Sequence, residues 1–163
     1  MNPSPAWEYE RSVDVHVPVT FAWEYMTDVR NWSDPPAKFT LEGPFADGAR
    51  GTTQMPDQAP LEWTLRDVVA GRGYTIEARS FLENASLSSH WRFERMSDQT
   101  TRLTQRLELS GDNAAAYVGT ISRAFEPNLE QGLRRIAGMM TERRRMETGD
   151  ESRETDRAPR GGG

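Results

Sequence analysis

Val-Asp-Val-His-Val-Pro-Val-Thr-Phe-Ala-Trp-Glu-Tyr-Met-Thr-Asp-Val-Arg-Asn-Trp, residues Val13 to Trp32, is the stretch that decides the fold. Valines alternate with polar residues up to Pro18. Reading backwards, the alternation extends to Trp7. Trp7, Tyr9, Val13, Val15 and Val17 share one face, with Arg11 interrupting it. Glu8, Glu10, Ser12, Asp14 and His16 share the other. A period of two over this length predicts a half-buried strand. Pro18 has no N–H to donate, so it ends the strand, and its fixed φ suits a helix start. Phe21, Ala22, Tyr25 and Met26 then recur at helical spacing. Asp28 is placed to cap a second short helix through Asn31 and Trp32.

Downstream, turn signals separate six further strand candidates. They run from Lys38 to Glu42, Ala49 to Met55, Leu61 to Val69, Tyr74 to Leu82, Ala85 to Met96 and Thr100 to Leu109. Short connections such as Gly71-Arg72-Gly73 and Ser97-Asp98 predict consecutive hairpins, hence an antiparallel meander. After Gly111 the period changes. Tyr117, Ile121, Phe125, Leu129, Leu133, Ile136 and Met140 form one apolar stripe. This predicts a long amphipathic helix, capped by Asp112 and bent at Pro127. From Glu147 to Gly163 the chain is charged and almost free of apolar residues, which predicts a disordered tail. One domain over residues 1–146 followed by that tail is the expected organisation.

Composition removes several chemistries. There is no cysteine among the 163 residues, so thiol nucleophiles and cysteine-ligated metals are excluded. Two histidines, His16 and His90, are too few for a histidine-rich metal site. No metal and no cofactor are expected. Lys38 is the single lysine, which confines Schiff-base chemistry to that residue or the N-terminus. A net charge of −5 without a basic face argues against nucleic acid. Mean hydropathy of −0.77 and the lack of a long apolar run argue against membrane insertion. Met1 to Glu10 shows no signal-peptide pattern, so a cytoplasmic location is expected.

An antiparallel sheet with one apolar face needs a cover, and only the C-terminal helix is long enough. A strongly twisted sheet wrapped around one helix leaves a gap, and pockets favour such junctions. The order of elements resembles the helix-grip fold of the START/Bet v 1-like superfamily. Within it, the chain resembles the bacterial polyketide cyclase/dehydrase-like proteins of the SRPBCC family. The residues that carry the likeness are Val13-x-Val15-x-Val17-Pro18, Phe21-x-Trp23, Thr27-Asp28 and Asn31-Trp32. Trp91-x-Phe93, Thr100-Thr101-Arg102-Leu103-Thr104 and the closing helix add to it, covering Trp7 to Arg145. The resemblance implies an α+β fold with seven curved antiparallel strands around a long helix. It identifies the fold and leaves the chemistry open, since the family holds cyclases, hydrolases, carriers and receptors.

Candidate site residues follow from strand alternation. Trp63 and Trp91 would be aromatic walls for a flat ligand, or ordinary core. Leu65, Phe93, Leu107, Ile121 and Phe125 would line the same space. Gln105 falls between Leu103 and Leu107 on the inward face, where it can donate to a ligand carbonyl. Asp67 follows Leu65 at strand spacing. It would be a general base if buried, and an ordinary solvated carboxylate if it sits at the hairpin end. Tyr117 would orient or protonate a ligand oxygen, or simply edge the core. His90 faces outward if Trp91 faces inward, and a one-residue slip reverses both. Arg11 would pair with a ligand carboxylate, unless a bulge or a rim position explains it. The family likeness then implies a small hydrophobic, aromatic or polyketide-like ligand, free or bound to a carrier protein. Aldol-type cyclisation or dehydration would be the reaction. A non-catalytic carrier or sensor shares the cavity, and a dry-packed interaction module would lack it.

Overall fold

The computed structural model describes residues 4–32, 36–78 and 82–157. Strand β1 (Trp7–Val15) leads into helix α1 (Val19–Met26) and a 3-10 turn (Val29–Asn31). Strands β2 (Lys38–Leu41), β3 (Arg50–Gln54), β4 (Leu61–Val69), β5 (Gly73–Ala78), β6 (Ser86–Ser97) and β7 (Thr100–Ser110) follow. They form one seven-stranded antiparallel sheet in the order β1-β7-β6-β5-β4-β3-β2. The first strand therefore closes the far edge by pairing with the last, from Trp7 against Leu109 to Val15 against Thr101.

The chain leaves β1 as expected at Pro18. The Val17 N–H bonds the Val15 carbonyl at 2.9 Å, a tight local turn. The buried Thr101 hydroxyl holds the Val17 carbonyl at 2.8 Å. Pro18 then sits at the N-cap of α1 with extended backbone. The Asp28 carboxylate accepts from the Arg30 N–H at 3.0 Å, so it caps the 3-10 turn. The expected strand from Tyr74 to Leu82 ends at Ala78, and residues 79–81 lie outside the described ones.

The C-terminal region departs from the single bent helix. A 3-10 turn (Ala114–Tyr117) comes first, then helix α2 (Val118–Phe125), then helix α3 (Leu129–Arg157). Asp112 caps neither element. The residue before the turn is Asn113, with no side-chain capping bond. Pro127 breaks the helix rather than bending it, since it donates no N–H and its ring clashes with the preceding turn. Helix α3 continues to Arg157, past Glu147, where the disordered tail was expected to begin; residues 158–163 lie outside the described ones.

Alternation works as the fold requires. Leu129, Leu133, Ala137 and Met140 of α3 are buried, at spacings of three and four residues. Leu133, Ala137 and Met140 meet a core built from Val15, Val17, Ala22, Tyr25 and Met26 with the inward residues of β4 to β7. Each fully buried leucine or methionine here contributes about 1.5–3 kcal/mol. A second cluster of Leu82, Ala85, Leu87, Leu109, Ala114 and Ile121 lies under α2. No described helix is long and apolar enough to cross a membrane.

Candidate functional site

Strand register lays out the concave face in rows. One row runs Trp7, Leu109, Leu87, Ala78, Trp63, Gly51, Leu41 across all seven strands. The next runs Tyr9, Leu107, Ser89, Ile76, Leu65. The third runs Arg11, Gln105, Trp91, Tyr74. Of the expected site residues, Trp63, Leu65, Trp91, Phe93, Gln105 and Leu107 share this face. Ile121 is buried under it from α2, with Phe125 half-buried beside it.

The aromatic residues gather around one that the sequence reading did not single out. Tyr74 lies within 6.5 Å, centroid to centroid, of Trp23, Trp32, Phe45, Trp91 and Phe93. Its hydroxyl is buried and has no hydrogen-bond partner among the described residues. Burial alone pushes the phenol pKa far upward, because nothing nearby stabilises the phenolate. The signal for Tyr74 was its register opposite Trp91, which only the paired sheet reveals. The Trp32 and Trp63 rings pack at 5.5 Å, tilted by 35° to each other. The Trp63 indole N–H donates to the Thr53 hydroxyl at 3.1 Å, and that of Trp32 to the Met26 carbonyl at 2.7 Å. These contacts make the aromatic end a packed wall.

The middle of the face differs. Ile76, Ser89 and Gln105 sit on central strands and point to the helix side, yet all three remain half-exposed. Gln105 donates to the Ser89 hydroxyl at 3.0 Å, its one side-chain bond among the described residues. Its remaining donor and acceptor positions are free to meet a guest. Residues flanked by strands on both sides stay accessible only where nothing packs directly over them.

Two of the expected catalytic residues lie elsewhere. Asp67 is exposed, with φ of +52°, in the register break between Arg66 and Val69. The bulge turns it out of the alternation that placed it beside Leu65. His90 faces the convex side, as the inward Trp91 demanded. There its Nδ1 meets the Thr75 hydroxyl at 2.8 Å and its Nε2 meets the Glu108 carboxylate at 3.2 Å. Arg106 bonds the same carboxylate at 2.9 Å. A separate groove of about 450 Å³ on this convex side includes Thr75, His90, Arg92, Thr104 and Arg106 in its lining. Tyr117 edges the second cluster, and its hydroxyl accepts from the Glu83 N–H at 3.0 Å. That bond ties the β5–β6 connection to the start of the helical region. Among the described residues no group of three or more His, Asp or Glu is placed to hold a metal ion.

Arg11 keeps to the concave face, because the β1–β7 register runs without a break from Trp7 to Val15. A bulge therefore does not account for it; it is exposed on the edge strand, the rim position. Its guanidinium lies 4.1 Å from the centre of the Tyr9 ring and donates to the Glu10 carbonyl at 2.7 Å.

Solved structures share this architecture. An aromatase/cyclase, Zhui, from Streptomyces sp. R1128 is 19% identical, with a TM-score of 0.62, over 86% of this chain and 95% of that one. Norcoclaurine synthase from Thalictrum flavum, in complex with dopamine and hydroxybenzaldehyde, is 10% identical, with a TM-score of 0.64, over 83% and 87%. Ara h 8.0201 is 13% identical, with a TM-score of 0.64, over 82% and 97%. At these identities the likeness is one of fold, the helix-grip arrangement. No curated protein matches the sequence. Residues 6–140 match the family described as polyketide cyclase / dehydrase and lipid transport, and the chain belongs to that family.

Proposed function

We propose that the protein binds a small hydrophobic molecule, aromatic or polyketide-like, on the concave face beneath its C-terminal helices. The observation that carries this is the half-exposed trio Ile76, Ser89 and Gln105 on central strands. A dry-packed module would bury them. Trp91 and Leu107 flank the trio as apolar walls, and Gln105 supplies a neutral donor for a ligand carbonyl. Such a mix, mostly apolar with a few placed polar groups, is what small-molecule pockets use. The family's cyclase and dehydrase members make cyclisation or dehydration the candidate reaction, with Gln105 on that face and Tyr117 at the edge of the second cluster as its polar candidates.

The carrier reading draws support from a separate observation. His90 and Asp67, the titratable residues expected to move protons, are not on the concave face. Among the described strand residues of that face there is no carboxylate or imidazole. Binding needs neither, whereas general acid–base catalysis most often uses one or the other.

Two experiments separate these. Titration with 2-naphthol, followed by tryptophan fluorescence and calorimetry, should give saturable binding that weakens about tenfold in Gln105→Leu at an unchanged Tm. Loss of Tm together with binding would make Gln105 a packing residue, and no binding to the wild type would defeat the cavity reading. Product formation from a linear polyketide-like substrate, lost in Tyr117→Phe with Tm held, would decide for catalysis.

A further inference from the structure

Arg11 is a cation without a carboxylate partner among the described residues of an acidic protein. Acids outnumber bases 25 to 20 in the sequence. On the convex face, Arg92, Arg102 and Arg106 each meet a carboxylate, at 2.9, 2.8 and 2.9 Å. Among the described residues Arg11 meets none, and its one hydrogen bond goes to the backbone of its neighbour Glu10. It also interrupts a face otherwise built from Trp7, Tyr9, Val13 and Val15. Stacking on Tyr9 holds the guanidinium plane while leaving most of its N–H groups unspent.

Its row gives it a context. Gln105 lies directly opposite Arg11, Trp91 beyond Gln105, and Tyr74 beyond Trp91. Two strand spacings separate Arg11 from Trp91, about 10 Å. A molecule with a ring toward Trp91 and an anionic group one or two ring widths away would span that distance. Its neutral oxygens would pass Gln105.

Resting on the binding reading above, we propose that Arg11 selects the charge of the ligand: the concave face takes an aromatic or polyketide-like carboxylic acid, its carboxylate held by the Arg11 fork. A planar guanidinium pairs with a carboxylate through two parallel hydrogen bonds. The position at the open edge strand lets the charged end stay near water while the ring enters.

The test compares 2-naphthoate with 2-naphthol at neutral pH, in the full chain, by calorimetry. Wild type should bind the naphthoate about threefold to tenfold more tightly, and the preference should shrink as salt is raised. Arg11→Gln should abolish the preference while leaving 2-naphthol affinity and Tm as they were. Arg11→Met, which keeps the stem on Tyr9, should do the same, and it guards against a lost stacking contact. A preference that survives both substitutions, or is absent in the wild type, overturns the role of Arg11. Failure of both probes to bind the wild type defeats the underlying cavity reading instead.

Discussion

The indole of Trp63 occupies the space that a side chain on Gly51 would need: a Cβ built there would lie 2.1 Å from Cη2. The two residues are direct partners across β3 and β4. The aromatic wall therefore depends on a missing methyl group. Gly51→Ala should destabilise the protein by about 1–3 kcal/mol, read by urea unfolding, because a packed ring must shift. Combining it with Trp63→Leu should cost less than the sum of the two changes. Additive costs would mean that the indole yields freely.

Tyr74→Phe should leave stability unchanged or raise it by about 1–3 kcal/mol, since it deletes a buried hydroxyl that bonds nothing. The pH dependence has a definite sign. Burial raises the folded pKa above the ordinary value of 10.0. The contribution is fully present below the unfolded pKa, and is lost as pH rises from there toward the folded value. In that window each such group steepens the loss by about 1.4 kcal/mol per pH unit. Alkaline unfolding of Tyr74→Phe should accordingly be shallower than that of the wild type. Identical alkaline limbs would show that the phenol titrates freely.

Asp28 carries two loads, capping the 3-10 turn and pairing with Arg30 at 2.7 Å. Asp28→Ala should cost about 1 kcal/mol, and Asp28→Asn less, because the amide still caps. The Arg30 hydrogen bond holds the carboxyl below its ordinary range. Its stabilisation is therefore present above the unfolded pKa and lost as pH falls through the folded one. The exposed pair makes that acid-sensitive part small. Equal losses for both variants in thermal melts would refute the capping role.

Leu133, 1% exposed, is a principal contact of α3 with the core. Leu133→Ala should cost about 2–5 kcal/mol in chemical denaturation. A cost below 1 kcal/mol would mean that the helix does not clasp the sheet.

His90 belongs to the convex network with Thr75, Glu108 and Arg106. His90→Ala should lower stability by about 1 kcal/mol while leaving 2-naphthol affinity as in wild type. Weakened binding would bring the histidine back to the site.

The strands, their hairpin order, the α1 region and the apolar stripe of the last helix were legible in the sequence because they rest on local patterns. Alternation declares a half-buried strand, and Pro18 and Asp28 punctuate their neighbourhood by their own covalent chemistry. Alternation also placed Trp63, Leu65, Trp91, Phe93 and Gln105 on one face. Alternation failed at Asp67, where one extra residue in β4 breaks the period, and the helical pattern failed at Pro127, where a bend became a break. Tyr74 and Arg11 acquire meaning only through partners on other strands. Which residues stand opposite each other is set by how hairpins close and twist, and no single strand's period contains that information. Any room beneath the helix would likewise be a property of the assembled layers: it depends on the distance between surfaces, which the order of amino acids along either surface leaves undetermined.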